Sequence, residues 1–496
     1  MNASSLPAAE ACSKGAPRLA AAAVLLLMAV VPGCDRDVGD LVVFVNRSSR
    51  VAEDPLDPAV VGYLELRVEG PGMGVATRGF DVQAGADRPL VGIPTGPDRV
   101  LTLNARTEAS GRLVARGRTL PLEVTPGVHR ILLYVGLVDR LSAASGPGLA
   151  FGRSDAALAA LPDGELLLVG GASDVGVEAH LARIDPDAGT LVEAETCGPP
   201  PGCLGTPRIA PAAVATSRGV LVLGGGDGQG TAVAAVELCD GRLCLPVASL
   251  PAPRWGGVVV AHPDGGALWV GGETGEGSVP AITRIGPAGE IEALAPLDVG
   301  LEGAAAALAS PERLVVLGGE TDAGDRFVAL ARDLSTGRAV PVEVDAVPWR
   351  RDGTAVAVGE GRVLWIGGRD AAGEASAAID LYDAKSDRIC PVGRLAAARW
   401  GATATRLDDG RVLVVGGWGR GGVPTAQVEV LDPRVVPDRS NCAALEGTLD
   451  REAQVGHLAR ARHAAARAAN GYVVVVGGEG VDGLRLGSME IWVPGA

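Results

Sequence analysis

Arginines at a regular position are the side chains of this 496-residue chain best suited to recognition chemistry. Each stands 16 or 17 residues before a glycine pair that ends an apolar run: Arg153, Arg208, Arg254, Arg350 and Arg399. The last unit offers Arg460 or Arg462, and Arg462 is the candidate chosen. A guanidinium binds carboxylates through a planar, permanently charged fork. These arginines are therefore candidate ligand-binding residues, but the interpretation we favour is that each pairs with a neighbouring acid and fixes the spacing of the units.

Acids and tryptophans close to the same landmarks form a second group of candidates. They follow either a glycine pair or an arginine: Glu273, Glu320, Glu479, Trp418, Trp255 and Trp400. The glutamates predict either a cation site at one end of the fold or ion pairs with the arginines. The tryptophans predict either recognition anchors, as aromatics at loop ends often are, or packing between the units.

The cysteines after residue 34 predict disulfides, provided that the chain reaches an oxidising compartment. Three pairs are expected: Cys197–Cys203, Cys239–Cys244 and Cys390–Cys442. Cys239 and Cys244 flank a four-residue turn between two predicted strands, which suits a cross-strand bridge. Metal binding is the alternative, but no C-x-x-C motif or paired histidine accompanies these cysteines, so we expect no metal and no cofactor.

The glycine pairs themselves mark a repeat that recurs roughly every 50 residues. Seven apolar runs end in one: Gly170-Gly171, Gly224-Gly225, Gly271-Gly272, Gly318-Gly319, Gly367-Gly368, Gly416-Gly417 and Gly477-Gly478. Turn dipeptides such as Asp409-Gly410 and Asn470-Gly471 precede most pairs and favour tight hairpins. A third strand follows, as at Gln427 to Asp432, and a fourth in some units. Four short strands per unit are typical of a propeller blade, so we predict an all-β fold with a seven-bladed propeller over residues 149–496.

The segment from Arg399 to Pro433, with R-x-G, then L-x-D-G-R-V-L-V-V-G-G and V-E-V-L-D-P, resembles a kelch repeat. The resemblance covers all seven units and implies blades packed radially around a central channel. The family's fourth-strand tryptophan is missing, and Cys244 and Cys390 stand in its place. The last unit ends after its third strand, so its fourth strand either comes from upstream, at Leu137 to Ala144, or is absent.

The N-terminus predicts export. An apolar run from Leu19 to Val31 follows Lys14 and Arg18, and it is too short to cross a bilayer but suits the core of a signal peptide. The following V-P-G-C resembles the lipobox of bacterial lipoproteins, which implies a signal over residues 1–33 and a lipid on Cys34. The alternative is an ordinary signal with Cys34 left as a free thiol.

Residues 38–138 predict a separate domain. Runs of alternating apolar and polar residues, such as Tyr63 to Glu69 and Arg130 to Val135, are separated by turn clusters. About 100 residues of this kind suit a small immunoglobulin-like or transthyretin-like β-sandwich. No catalytic constellation is present in this stretch.

Charge and histidine content restrict the function. A formal net charge of -15 argues against nucleic-acid binding. The galactose-oxidase-like copper oxidases share the propeller but need a tyrosine-cysteine crosslink, a second tyrosine and two histidines; here His180, His262, His457 and His463 are scattered. We therefore expect a non-enzymatic scaffold, lipid-anchored to the bacterial membrane and facing the periplasm or the cell surface, that binds a protein or a glycan. A copper oxidase and a structural envelope spacer are the alternatives.

Overall fold

A computed structural model describes residues 25–26, 38–48, 50, 53–81, 90–108, 110–193, 203–436, 447, 449–456 and 458–495. These residues form an N-terminal sheet and then seven small sheets arranged as a propeller. Two 3-10 helices occur among them, Arg420–Gly422 and Pro433–Val435. Within the described ranges no helix has the length and apolar character needed to cross a bilayer. The fold is therefore all-β, as predicted.

The N-terminal sheet contains nine strands. In spatial order seven of them are Leu25–Leu26, Val38–Arg47, Gly127–Leu137, Leu113–Arg118, Gly96–Arg106, Tyr63–Glu69 and Ala76–Asp81, while Leu90–Pro94 pairs with the second and Leu122–Val124 with the fifth. Alternation decides which side chains are buried. In Tyr63–Glu69, for example, Leu64, Leu66 and Val68 are buried and Tyr63 is exposed. The buried side chains form one hydrophobic core in this part of the chain.

The next six sheets are blades 1 to 6, each an antiparallel array whose strands follow chain order. Blades 1 to 3 are Ala157–Ala160, Leu166–Val169, Ala182–Asp185, Thr190–Glu193; Ala212–Thr216, Gly219–Leu223, Ala235–Cys239, Cys244–Ser249; and Val258–Ala261, Ala267–Val270, Ile282–Ile285, Ile291–Leu294. Blades 4 to 6 are Ala305–Ser310, Arg313–Leu317, Ala329–Asp333, Arg338–Val340; Thr354–Gly359, Arg362–Ile366, Ala378–Asp383, Arg388–Arg394; and Thr403–Arg406, Val412–Val415, Gln427–Asp432, Asp450–Val455. Glu343–Val344 adds a parallel strand to the edge of blade 5. Two short hairpins follow the second strands of blades 1 and 3: Ala172–Ser173 pairs with Gly176–Val177, and Glu273–Thr274 pairs with Gly277–Ser278.

Blade 7 joins the two ends of the ring. Its inner strands are Ala464–Arg467, Val473–Val476 and Met489–Val493, and its outer strand is Arg140–Ala143, which precedes blade 1 in the chain. Arg140 pairs with Val493 and Ala143 with Glu490. The first strands of neighbouring blades contact each other all the way round, including blade 7 with blade 1. The upstream segment therefore supplies the missing fourth strand.

The glycine pairs hold adjacent blades together. In blade 6, Gly416 and Gly417 have φ angles of 60° and 98°, and a Cβ atom on Gly416 would lie 2.4 Å from the carbonyl oxygen of Arg460. Only glycine allows both this backbone conformation and this approach. The Gly417 N–H donates to that carbonyl at 2.8 Å. The second glycine of a pair makes the same bond to the repeat arginine of the next blade at six interfaces: Gly171 to Arg208, Gly225 to Arg254, Gly319 to Arg350, Gly368 to Arg399, Gly417 to Arg460 and Gly478 to Arg153.

The N-terminal sheet packs against blades 7 and 1. Tyr134 is buried in one hydrophobic cluster with Leu166 and Val474. The Arg118 N–H donates to the Tyr472 hydroxyl at 2.6 Å. The carboxylate of Asp187, in the last turn of blade 1, accepts from the Leu120 N–H at 2.7 Å and from the Asn470 amide at 3.0 Å. Side-chain packing and hydrogen bonds therefore connect the N-terminal sheet to blades 7 and 1, where the two ends of the ring meet.

Candidate functional site

The end of the propeller at which the first strands begin is called the channel mouth here. It is built by the seven segments that precede the first strands and by the seven glycine pairs. Isolated backbone bridges join the residue after each arginine position to the residue after each glycine pair, as between Trp255 and Glu273 or between Trp400 and Trp418. The backbone frame is thus the same in every blade, and side chains alone make one sector of the mouth different from another.

The repeat arginines lie beneath this surface. Arg153, Arg208, Arg254, Arg350, Arg399 and Arg460 are at most 2% exposed. Five of the six form an ion pair inside their own blade: Arg153–Glu193, Arg208–Glu237, Arg350–Asp380, Arg399–Glu429 and Arg460–Glu490. Their guanidiniums do not reach the surface of the mouth, where a ligand would contact them.

Of the two arginines in the last unit, Arg460 and not Arg462 holds the buried repeat position, and ligand binding by Arg462 stays a prediction. Arg460 occupies the buried repeat position, where it donates to the Gly477 carbonyl at 2.8 Å and to Glu490 at 2.6 Å. Arg462 lies two residues later, half-exposed, with Asp155 at 3.4 Å and Glu479 at 3.8 Å. Both are arginines before the same strand, and spacing alone did not separate the one that points inward from the one that points outward.

Blade 6 shows how the buried pair is held. Arg399 donates to the Gln427 carbonyl at 2.8 Å and to the carboxylate of Glu429, and both side chains of the ion pair are fully buried. Burial lowers the pKa of Arg399 to about 10, which still leaves the guanidinium charged near neutral pH. Glu429 also accepts from the Ala396 N–H at 2.8 Å. The pair therefore ties the segment before the first strand to the third strand.

Blades 3 and 4 depart from this arrangement. At the third-strand position of Glu429, blade 3 has Thr283, whose hydroxyl accepts from Arg254 at 2.9 Å. The Arg254 guanidinium also lies 3.8 Å from the centre of the Trp269 ring, a cation–π contact that replaces part of the lost ion pair. Blade 4 has neither partner, because Leu301 and Leu330 stand at the two positions.

The tryptophans separate into two environments. Trp400 and Trp418 are half-buried and stack at a centroid distance of 5.6 Å, with the Arg369 guanidinium 4.6 Å from the Trp400 ring. Arg369 is held in turn by the Asp352 carboxylate. Trp255 is half-buried in blade 3 and donates to Glu273. All three lie at the mouth, where an anchor for a ligand would have to stand.

The three glutamates after glycine pairs differ in their partners. Glu320 lies 3.5 Å from Arg326, and Glu479 lies 3.8 Å from Arg462. Glu273 has no arginine or histidine within ion-pair distance among the described residues. Burial raises the pKa of Glu273, and the charges of Glu302 and Asp352 raise it further. An acid surrounded by other acids is therefore the unusual electrostatic feature of the mouth.

A belt of backbone in the left-handed conformation also encircles the mouth, and the sequence analysis missed it. Two residues after each arginine position, φ is positive: Asp155, Ala210, Gly256, Gly303, Asp352, Gly401 and Arg462. Five of the seven successive pairs are hydrogen-bonded, as from the Ala210 N–H to the Asp155 carbonyl at 2.9 Å and from the Gly401 N–H to the Asp352 carbonyl at 2.8 Å. The signal was present, since glycine and aspartate, which tolerate positive φ, fill five of the seven places.

One disulfide is confirmed. Cys239 and Cys244 are bonded across the turn between the third and fourth strands of blade 2, with Cα atoms 4.1 Å apart. Cys203 and Cys390 are also disulfide-bonded. Cys197 and Cys442, their predicted partners, lie outside the described residues, as does the predicted lipidation site Cys34. The two other pairings and the lipid therefore stay predictions.

In the part of the chain that the structure describes, no group of three or more histidine, cysteine or acidic side chains is placed so that it could hold a metal ion. His463 is buried in blade 7, where its Nε2 lies 2.9 Å from the Thr403 hydroxyl, and burial lowers its pKa to about 3. His180 contacts Glu178 at 2.7 Å, and His262 contacts Asp264 at 2.7 Å, in different blades. His457 lies outside the described residues. The chain matches no protein-family model and no curated protein sequence.

Proposed function

We propose that this chain is a kelch-like bacterial lipoprotein of the cell envelope, and that its propeller binds a protein or a glycan at the channel mouth without catalysing a reaction. The observation that carries the proposal is that the backbone of the mouth repeats from blade to blade while its side chains vary. The mouth positions have equivalent backbone in every blade, yet their side chains range from Ala461 to Trp400, Glu302 and Arg351. A rigid scaffold with a varied surface is suited to recognition.

The stacked group of Arg369, Trp400 and Trp418 is the proposed anchor. Tryptophan and arginine dominate the residues that contribute most to binding energy at protein interfaces. Stacking holds these side chains in place before a partner arrives, so binding costs less side-chain entropy. The rings and the guanidinium also suit stacking and hydrogen bonding with a sugar.

Capture from envelope extracts tests this proposal. Immobilised protein should retain a partner, and Trp418→Ala should lose it, whereas Arg338→Ala, an exposed change on the outer strand of blade 4, should not. Treatment of the extract with protease or with glycosidase identifies the class of partner. Equal capture by both variants would refute binding at the mouth, and capture of no partner would favour the spacer. Stoichiometric copper in purified protein would instead support the oxidase.

The anchor is tested separately. The proposal expects a lipid on Cys34 and release of Cys34→Ser from the membrane fraction. Mass spectrometry of the mature N-terminus measures this directly. An unmodified Cys34 thiol would support the ordinary signal peptide instead, while leaving the binding role of the propeller untouched.

A further inference from the structure

A cleft opens between blades 3 and 4 at the channel mouth. It has a volume of about 150 Å³, and its walls include Val258, Leu297, Leu301, Val316 and the small residues 303–306. A cavity of about this volume accommodates a ligand the size of benzene. Glu273, Glu302 and Asp352 contribute to its lining. The cleft is therefore small, apolar on its walls and acidic at its lining carboxylates.

The sequence of blade 4 explains why the cleft is there. Elsewhere the second glycine of a pair donates to the carbonyl of the next blade's repeat arginine, but Gly272 makes no such bond to Leu301 in the described structure. The belt is also interrupted here, as it is between Gly401 and Arg462, because no hydrogen bond joins the Gly303 N–H to the Gly256 carbonyl in the described structure. A Cβ atom on Gly271 would lie 3.8 Å from its nearest neighbour, compared with 2.3 Å at Gly318. Blades 3 and 4 thus stand apart at the mouth.

Four backbone groups line this gap without a backbone partner among the described residues: the carbonyls of Gly256 and Leu301 and the amides of Gly272 and Gly303. Such groups bind water or a ligand, because unpaired polar backbone is costly to bury. The carbonyls suit a donor and the amides suit an acceptor, so the backbone alone does not select between a cation and an anion.

The surrounding charges make that selection. Glu302 is balanced by Arg351 at 2.9 Å, and Asp352 by Arg369. Glu273 has no such partner in the described structure, and Asp322, which accepts from the Ser278 N–H at 3.2 Å, adds a further negative charge nearby. An anion that could use the two amides is repelled by these carboxylates. A cation gains from them.

We propose that this cleft binds a primary ammonium group carried on a short aliphatic chain. An ammonium has three N–H donors, and the lining offers three acceptors for them: the Glu273 carboxylate and the carbonyls of Gly256 and Leu301. The aliphatic chain contacts Val258, Leu297 and Val316. The proposal does not depend on the function proposed for the rest of the mouth, because the Trp400 and Trp418 stack does not line this cleft.

The direct test uses n-butylammonium as the probe and n-butanol as its neutral equivalent, with binding to the full-length protein followed by NMR. The ammonium should bind, and the alcohol should bind at least tenfold more weakly, since a hydrogen bond to a charged group contributes roughly 1.5–3 kcal/mol. Equal binding of the two probes, or no binding of the ammonium, would overturn the proposal.

Variants locate the site. Glu273→Gln keeps the shape of the side chain, removes its charge and should weaken n-butylammonium binding about tenfold or more. Glu479→Gln is the matched control, because Glu479 follows the glycine pair of blade 7 in the same way but does not line the cleft. Val258→Phe should fill the cleft and abolish binding, with circular dichroism as the check that the variant folds. If the two glutamine variants bind the probe equally, the site is not this cleft.

A final comparison distinguishes the source of the ammonium. The blocked tripeptide acetyl-Gly-Lys-Gly-amide presents the same ammonium on a peptide. Tighter binding of the tripeptide than of n-butylammonium assigns the cleft to a lysine of a partner polypeptide, and weaker binding assigns it to a free small amine. In either case loss on Glu273→Gln must accompany binding, and its absence contradicts the proposal.

Discussion

Blades 6 and 4 share one backbone frame but fill the space before the first strand in different ways. Blade 6 buries Arg399 against Glu429, whereas blade 4 has Leu301 and Leu330 at those positions. The preceding glycine pair bonds to the arginine carbonyl of blade 6 but makes no such bond to blade 4. Blade 3 keeps that bond although Arg254 pairs with the Thr283 hydroxyl and not with an acid. Buried ion pairs add little net stability, because desolvation offsets their attraction. The difference teaches that the arginine, more than its acidic partner, sets where one blade meets the next.

The largest effect is expected when the pair in blade 6 is broken. Arg399→Met leaves Glu429 buried and unpaired, and should lower the free energy of unfolding by about 3–5 kcal/mol. Urea unfolding followed by tryptophan fluorescence measures it. Arg399→Met/Glu429→Leu should recover most of the loss, and the half-exposed Arg462→Met should cost less than about 0.5 kcal/mol. Equal losses in Arg399→Met and Arg462→Met would remove the distinction drawn between buried and surface arginines.

Asp187 is largely buried, as Glu429 is, but it has no arginine partner among the described residues. Its pKa is raised to about 7, mainly by burial and also by the nearby charges of Asp185 and Glu165, although the Leu120 N–H and the Asn470 amide favour the charged form. Between its unfolded pKa of about 4 and this value the folded protein binds more protons than the unfolded chain, so stability should fall by about 2–3 kcal/mol as the pH rises from 4 to 7.

The same unfolding experiment at several pH values tests this prediction. Asp187→Asn, which cannot ionise, should lack this part of the pH dependence, so the difference between the wild-type and variant curves isolates the carboxyl group. A pH dependence identical in the two proteins would show that Asp187 ionises in the folded protein as it does in water.

A smaller effect is expected from giving blade 4 the residues of blade 6. Leu301→Arg alone places a charge against apolar neighbours without an acid, and should cost about 1–2 kcal/mol. Leu330 pairs with Val316 as Glu429 pairs with Val414, each partner standing two residues before a glycine pair, so Leu330→Glu should place the missing acid correctly. The double variant should be about 1 kcal/mol more stable than the sum of its single changes predicts. Additive changes would mean that the frame of blade 4 cannot form the pair.

The smallest effect is expected at the surface. Arg485 of blade 7 lies 3.0 Å from Asp174 of blade 1, and both side chains are partly exposed. Arg485→Ala should change the free energy of unfolding by less than about 1 kcal/mol, and 1 M salt should reduce the difference because it screens exposed charges. A loss as large as that of Arg399→Met would contradict the distinction between buried and exposed pairs.

Local patterns allowed the frame to be predicted. Gly416-Gly417 with the turn at Asp409-Gly410 gave the hairpin of blade 6, and the short spacing of Cys239 and Cys244 gave the bridge in blade 2. These features depend on residues close in the chain. The sequence left open whether the fourth strand of blade 7 comes from upstream or is absent, because pairing between residues 140 and 493 leaves no local signal.

Side-chain direction was harder to predict. The spacing of the arginines identified their register but placed them near the mouth, whereas they point into the blade. A usable signal stood in the third strands, where Glu429 and Glu490 interrupt apolar runs and are buried. An acid at such a position requires a cation inside the fold. The cleft had a weaker signal, the replacement of the repeat arginine by Leu301, which does not by itself predict that two blades separate at the mouth.

The outer strand of blade 7 has a consequence for the timing of folding. Arg140–Ala143 is synthesised before any blade, but its partner Met489–Val493 is synthesised only after all the other blade strands. Until then the early strand has an unpaired edge, which is a template for association with other chains. Contacts between distant parts of a chain also form slowly. A chain that is truncated before Met489 should therefore accumulate as an open, aggregation-prone array of blades.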